Sequence, residues 1–150
     1  MSEGFGRAPK AGNRAYAGEL GVRSTRRSEL RDITAEVQKA VKASGIASGV
    51  CHLYVPHTTA GIVINEHDDP AVARDIVAVL ERLAPREAHY EHYEGNADAH
   101  AKAALAGASA TIFVEGGRLD LGRWQGIFFC EFDGPRERRV RLKIVPDPAE

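Results

Sequence analysis

The histidines of this chain are concentrated in three short polar segments. All of its six histidines except His52 lie in them. The first segment is His57-Thr58-Thr59, the second covers residues 65–69, and the third covers residues 89–100. Imidazole, carboxylate and hydroxyl groups bind divalent metals, hold phosphates and transfer protons. We therefore expect the chemistry of this protein to be carried by these segments.

Three of the histidines predict a metal site. We expect His57, His92 and His100 to converge, because three imidazole nitrogens with an open fourth position suit a catalytic divalent ion, with zinc favoured over magnesium. The spacing matches no compact motif such as H-E-x-x-H, so solvated loop histidines are the alternative. A histidine cluster that binds phosphate without metal is a further version of the same hypothesis.

Acidic and amide side chains follow the apolar strand that ends near residue 64. Asn65 and Glu66 can orient a ligand, coordinate a metal or supply a general base, or they are simply a solvated strand end. Asp69 precedes Pro70, which predicts a helix cap. The exposed N–H groups of the same helical turn also form an anion site, so both roles are compatible.

Glu131 stands inside an apolar run, residues 127–132. An unpaired buried carboxylate there would cost several kcal/mol. Glu131 therefore either faces water on a sheet edge or pairs with a metal, a histidine or an arginine.

A second candidate for ligand contact is Arg123-Trp124-Gln125, between Gly122 and Gly126. Trp124 offers a stacking face and Gln125 an amide that both donates and accepts, although a hairpin with a core tryptophan is the alternative. The arginines near the C-terminus predict a solvated strand face, with phosphate binding as the other possibility; they are Arg136, Arg138, Arg139 and Arg141.

The strands and helices that must position these residues occur in groups along the chain. Hydrophobic periodicity predicts the order β-β-α-β-β-α-loop-α-β-β-β, which indicates an α+β fold. Strict alternation in residues 138–145, with Val140, Leu142 and Ile144 inward, favours antiparallel pairing. The helix after Asp69 carries an apolar stripe that we expect in the core, formed by Val72, Ile76, Val79, Leu80 and Leu83.

Composition narrows the class of protein. The chain has 150 residues, 43% of them apolar, and a formal net charge of -1, which predicts one soluble domain with no nucleic-acid partner. It has no apolar run of about 20 residues and no secretory signal, so no membrane partner and a cytoplasmic location are expected. Cys51 and Cys130 are predicted to be buried thiols. Residues 1–13 are predicted to be a disordered leader and residues 147–150 a tail.

Four motifs together resemble the YjbQ family over residues 14–146. They are His57-Thr-Thr-Ala-Gly61, Asn65-Glu66-x-x-Asp69-Pro70, Tyr90-x-His92-x-x-Gly95-Asn-Ala-Asp-Ala-His100, and Gly122-Arg-Trp124-Gln125-Gly-Ile127. The four occur in the family's order. Arg123 stands where the family often has a small residue.

The resemblance implies a single YjbQ-like α+β domain with a mixed or antiparallel sheet, assembled as a homotrimer with sites near subunit boundaries. It also implies a weak secondary thiamine-phosphate synthase, which joins hydroxymethylpyrimidine diphosphate to thiazole phosphate and releases pyrophosphate. The catalytic candidates are His57, Asn65, Glu66, Asp69, His92, Asn96, His100 and Glu131. The candidates for binding a small phosphorylated substrate are Thr58, Thr59, Arg123, Trp124 and Gln125.

Two other functions remain open at this point. One is a metal-dependent hydrolase of a small phosphorylated or acyl substrate, with Glu66 or Glu131 as the base. The other is a non-enzymatic protein that binds a metal or a small ligand without turnover.

Overall fold

The computed structural model describes residues 14–149, so the predicted leader at residues 1–13 lies outside the described residues. Strands and helices follow the predicted order, with one additional two-residue strand. The elements are β1 (Tyr16–Arg23), β2 (Glu29–Asp32), α1 (Thr34–Ser44), β3 (Gly49–Tyr54), β4 (Ala60–Glu66), α2 (Pro70–Leu83), α3 (Ala97–Ala106), β5 (Ser109–Glu115), β6 (Arg118–Leu119), β7 (Gln125–Glu131) and β8 (Glu137–Pro146).

The helix boundaries follow from local chemistry. α1 ends at Gly45, whose φ of 68° lies in the left-handed region that glycine adopts without strain. α2 begins at Pro70 after Asp69, whose carboxylate accepts the N–H of Ala71 at 2.9 Å. The predicted cap at Asp69 is therefore confirmed.

The strands form two sheets. One has five strands in the order β1-β8-β3-β5-β6, and the other has three in the order β2-β7-β4. Neighbouring strands in both sheets are antiparallel throughout. The α+β class with antiparallel sheets is thereby confirmed.

The main core lies between the two sheets and is closed by α1. Val140, Leu142 and Ile144 of β8 point into it, as their alternation predicts, and Ile127 and Phe129 enter it from β7. The opposite face of the small sheet packs on α3 through a second cluster that includes Cys130, Phe132 and Ala103. The three-stranded sheet is thus buried on both faces, which explains why β7 is apolar along almost its whole length.

The prediction that the apolar stripe of α2 lies in the core is wrong in part. None of its residues is fully buried, and Leu83 is 67% exposed instead of belonging to the core. Val79 is also exposed, whereas Leu80 packs on the second cluster. The helix packs along one side of its apolar stripe, and no residue in the range 14–149 covers the other side.

Both cysteines are free and buried, as predicted. Burial raises the pKa of Cys51 to about 11 and that of Cys130 to about 12, so both remain thiols. Among the helices at residues 14–149, none is long and apolar enough to cross a membrane.

Candidate functional site

His57 lies in the junction between β3 and β4, and a backbone N–H of β8 holds its ring. The N–H of Arg139 donates to Nε2 of His57 at 3.0 Å. Because that nitrogen accepts a hydrogen bond, the proton of the neutral ring sits on Nδ1. Burial, reinforced by the guanidinium groups of Arg138 and Arg139, lowers the pKa of His57. The ring is therefore a neutral donor through Nδ1 at pH 7.

Behind His57, a buried ion pair joins the two sheets. Side chains alternate along β7, so Glu131 points to the same face as Ile127 and Phe129, towards β8. There it is fully buried and pairs with Arg138, whose Nε lies 2.9 Å from Oε1. Of the two alternatives for Glu131, pairing with a cation is the one observed.

The carboxylate of Glu131 accepts further hydrogen bonds. Ser24 donates through its hydroxyl at 2.6 Å, and the N–H groups of Phe132 and Asp133 donate at 3.1 Å each. Burial raises the pKa of Glu131, but the hydrogen bonds from Arg138, Ser24 and Asp133 outweigh it and hold the pKa below its ordinary value. Because both carboxylate oxygens already accept hydrogen bonds, Glu131 affects the site only by holding Arg138 in position.

Arg138 in turn positions Thr59. Its Nη2 donates to the hydroxyl oxygen of Thr59 at 2.8 Å. Because the hydroxyl oxygen accepts this bond, the hydroxyl hydrogen of Thr59 remains available as a donor. Glu131, Arg138 and Thr59 therefore form one chain of hydrogen bonds from the core to the junction that carries His57.

The start of α3 supplies the other wall. Asn96 donates from Nδ2 to Asp133 at 2.9 Å, while its buried Oδ1 has no partner among the described residues. The rings of His92 and His100 meet edge to face with their centroids 5.2 Å apart. His92 also lies 3.6 Å from Glu94, and it is more exposed than His100.

A buried network fixes this helix in place. Asp98 accepts both terminal nitrogens of Arg27, at 3.0 and 3.1 Å, and Nζ of Lys102 at 2.8 Å. Lys102 is fully buried and also pairs with Glu81 of α2 at 3.2 Å. Burial raises the pKa of Asp98, but the hydrogen bonds from Arg27 and Lys102 lower it to about 2.

These groups surround a polar cleft of about 570 Å³. Its charged residues nearly balance, because Arg136 pairs with Asp133 at 3.0 Å and Arg138 is neutralised by Glu131. The remaining lining holds one further carboxylate, that of Glu94, which lies 3.6 Å from His92. Its neutral donors and acceptors come from His57, Thr58, Thr59, Asn96 and His100. An anion in this cleft would be held by directed hydrogen bonds more than by net charge.

The other predicted site residues lie at the far end of β4. Glu66 is paired with Gln125 and Asn65 with Gly126, whereas Ala60, at the cleft end, is paired with Glu131. Six residues of extended chain separate the two ends by roughly 20 Å. One chain therefore does not bring the four motifs into one site.

At that far end the side chains are open to solvent. Trp124 is 49% exposed, with the guanidinium of Arg123 4.7 Å from its ring centroid. This excludes the core tryptophan considered above. The amide oxygen of Asn65 accepts the N–H of Glu66 at 2.8 Å, so part of its hydrogen-bonding capacity is used by the backbone at the end of β4.

The geometry bears directly on the metal hypothesis. His57 and His100 line one cleft, and His92 touches His100. Within residues 14–149, however, no group of three histidine, cysteine or acidic side chains is placed to hold a metal ion. His57 does not fit the ligand role in this arrangement, because the lone pair of Nε2 is already engaged and Nδ1 carries the proton.

Comparison with known proteins identifies the family. A sequence model described as "UPF0047 protein YjbQ-like" matches residues 18–147. The chain belongs to the YjbQ/UPF0047 family. It is similar to UPF0047 protein MJ1081 of Methanocaldococcus jannaschii, 48% identical over 84% of this chain and 91% of that protein. UPF0047 protein YugU of Bacillus subtilis is likewise 48% identical, over 84% of this chain and 96% of its own.

Solved structures of the YjbQ/UPF0047 family share the fold. An uncharacterised member from Clostridium acetobutylicum is 49% identical, with a TM-score of 0.83 over 85% of this chain and 98% of its own. A YbjQ-like protein of unknown function from Sulfolobus solfataricus is 36% identical, with a TM-score of 0.86 over 89% and 99% of the two chains.

Sequence reasoning missed the role of Arg138, which lines this YjbQ-family cleft, and that of Ser24, which lies behind the cleft and bonds Glu131. Arg138 was expected on the solvated face of β8, yet it is buried. Its burial could have been predicted, because Arg138 is two residues before Val140 and four before Leu142 and therefore lies on the same face of β8. Ser24 carried no comparable signal, since only the tertiary contact with Glu131 gives it a role.

Proposed function

We propose that the cleft beside His57 binds the phosphate groups of a small phosphorylated substrate. The observation that carries the proposal is the bond from Arg139 to His57, which leaves a neutral ring with a donor at Nδ1. The hydroxyl of Thr59, held by Arg138, supplies a second directed donor. The guanidinium of Arg136, which is exposed and paired with Asp133, lies in the same lining. Neutral, preorganised donors stabilise developing negative charge without rearrangement.

The reaction proposed for this site is the one that the family resemblance implies. Hydroxymethylpyrimidine diphosphate and thiazole phosphate are joined, and pyrophosphate leaves. The carbon–oxygen bond to the diphosphate breaks as the carbon bonds to the thiazole ring, so negative charge grows on the leaving group. Donors from His57 and Thr59 suit that leaving group. The free acceptor Oδ1 of Asn96 suits an amino or hydroxyl hydrogen of the organic part.

A second copy of the chain is part of this proposal. The end that carries Trp124 lies too far along β4 to reach the His57 cleft of the same chain. Assembly as a homotrimer would bring the Trp124 end of one copy to the cleft of the next. The exposed apolar side of α2 supports such assembly, because nothing in the described part of the chain covers Val79 and Leu83.

A divalent metal, zinc or magnesium, stays a prediction. His92 and His100 are close enough to act together, whereas His57 would need to give up its bond to Arg139 and change tautomer. The steps above are therefore derived from the side chains alone.

Calorimetry with pyrophosphate and, separately, with zinc tests which ligand the cleft takes. We expect pyrophosphate to bind, and His57→Ala to weaken it roughly tenfold or more, since a hydrogen bond to a charged group contributes about 1.5–3 kcal/mol. His52→Ala is the matched control, because His52 lies exposed on β3. Equal pyrophosphate affinity in wild type and His57→Ala would overturn the proposal.

The synthase step needs its own measurement. Purified protein is incubated with the two substrates, and thiamine phosphate is quantified for wild type, His57→Ala and His52→Ala. In parallel, the variants are compared for rescue of a thiamine auxotroph. We expect loss of both signals only in His57→Ala. Pyrophosphate binding without product would leave a phosphate-binding protein and reject the synthase. Zinc binding that is lost in both His92→Ala and His100→Ala would instead favour the metal-dependent version.

A further inference from the structure

A second cleft, of about 780 Å³, lies between the start of α1, the β6 region and the start of β7. It shares no lining residue with the His57 cleft. Its polar lining comes from Asp32, Thr34, Glu36, Gln38, His67, Arg118 and Gln125. Leu119 and Leu121 supply apolar surface. The proposed phosphate site uses none of these groups except Gln125, which belongs to the Trp124 end.

Asp32 and His67 form a hydrogen-bonded pair in this cleft. Nδ1 of His67 lies 2.9 Å from Oδ2 of Asp32. A carboxylate only accepts, so Nδ1 carries the proton and the lone pair lies on Nε2. Within residues 14–149 no hydrogen bond engages that Nε2. The pair therefore presents a free imidazole base.

Asp32 is itself held in place. Its Oδ1 accepts the N–H of Thr34 at 2.9 Å and the Thr34 hydroxyl at 2.5 Å. Burial raises the pKa of Asp32, but the hydrogen bonds from Thr34 and His67 outweigh it and lower the pKa. The carboxylate thus stays ionised and orients the imidazole, as an aspartate does beside a catalytic histidine.

Gly126 leaves room for the imidazole ring of His67. A Cβ at Gly126 would lie 2.4 Å from Cγ of His67, so a side chain there would displace the imidazole. The backbone N–H of His67 donates to the carbonyl oxygen of Trp124 at 3.0 Å. Backbone and side chain of His67 are therefore both fixed.

Two further groups complete the arrangement. The amide oxygen of Gln125 accepts the N–H of Gly122 at 2.8 Å, which leaves its Nε2 hydrogens free as donors. Arg118, exposed at the rim, has no carboxylate partner among the described residues. A ligand bound here could place a carbonyl oxygen against Gln125 and a carboxylate against Arg118. Leu119 and Leu121 would contact the apolar part of the ligand between these two groups.

We propose that this cleft hydrolyses small carboxylic esters that carry a distal carboxylate, with His67 as general base. Nε2 takes a proton from water while the water oxygen bonds to the ester carbonyl carbon, and Gln125 donates to the carbonyl oxygen. The bond to the alcohol oxygen then breaks, and that oxygen receives the proton from Nε2. The products are a carboxylic acid and an alcohol, and water is the only co-reactant. Asp32 is a positioning residue.

Two p-nitrophenyl esters test the base. Mono-p-nitrophenyl glutarate carries the distal carboxylate, and p-nitrophenyl butyrate lacks it. We expect saturable hydrolysis by the whole protein and a loss of at least about tenfold in kcat in His67→Gln. His52→Gln, which changes an exposed histidine on β3, should keep the wild-type rate. Wild-type kcat in His67→Gln, or a rate that stays linear with ester concentration in wild type, would overturn the proposal.

Three further variants test the surrounding groups. Asp32→Asn should lower kcat with little change in KM, because the ring loses its orientation but not its pocket. Gly126→Ala should do the same by displacing the ring. Arg118→Gln should raise KM roughly threefold for the glutarate ester only, as expected for an exposed ion pair. Equal effects of Arg118→Gln on both esters would refute carboxylate recognition. Unchanged circular dichroism confirms that each variant is folded.

Discussion

Arg138, the second residue of β8, forms an ion pair with Glu131, the last residue of β7, and the same guanidinium donates to the hydroxyl oxygen of Thr59. The pair joins the two sheets at the point where the His57 junction begins. Both side chains are buried, so the interaction is only weakly screened by solvent. Stability and site geometry therefore depend on the same contact.

Removing one partner of this pair should be strongly destabilising. Glu131→Gln leaves the Arg138 charge buried without compensation, and we expect a loss of about 3–5 kcal/mol in the free energy of unfolding. Denaturant titration of Glu131→Gln, Arg138→Met and the double variant measures the coupling between the two side chains. Additive effects of the two changes would contradict a direct pairing.

The Asp98 network should make the protein sensitive to acid. The folded-state pKa of Asp98 is about 2, below its ordinary value of 3.8. Its contribution to stability is therefore fully present above about pH 4 and is lost as the pH falls towards 2. We expect Asp98→Asn to be less stable at pH 7 and to show a flatter acid profile in this window. Urea titrations at several pH values check this, and parallel profiles for both proteins would contradict it.

His57 should contribute in a different pH window. Its pKa is lower in the folded protein than the ordinary 6.5, so the unfolded chain binds the proton more readily. Stability is therefore fully present above about pH 6.5 and decreases as the pH falls below it. Unfolding titrations at pH 7.5 and 5.5 should show a smaller pH effect in His57→Gln than in wild type. His52→Gln, at an exposed position on β3, should retain the wild-type pH effect.

The apolar side of α2 predicts the assembly state. Exposed Val79 and Leu83 favour association of copies of the chain. Because the family resemblance implies a homotrimer, we expect light scattering to give three times the chain mass of 16.2 kDa. Leu83→Glu should dissociate the assembly without unfolding the chain. Arg74→Glu changes the opposite side of the helix and should leave the mass unchanged. A monomer mass for the wild type at micromolar concentration would reject the trimer.

The amino-acid sequence by itself determined the local structure and the class of fold. Alternation along β8 predicted which of its apolar residues point inward, and the Asp69-Pro70 pair predicted where α2 begins, since both signals act over a few residues. Four spaced motifs were enough to predict the family. The burial of Arg138 was also predictable, because the alternation places it on the same face of β8 as Val140 and Leu142.

Only the tertiary structure decided which groups meet. Glu131 and Arg138 are only seven positions apart on consecutive strands, but their ion pair depends on how β7 and β8, which belong to different sheets, pack together, and hydrophobic periodicity does not predict that. Leu83 is exposed because none of the residues that the structure describes covers its side of α2. His57 and Gln125 lie at opposite ends of the β4–β7 pairing, a separation set by antiparallel register. Periodicity specifies the face of an element, whereas contacts between distant elements depend on how the whole chain packs.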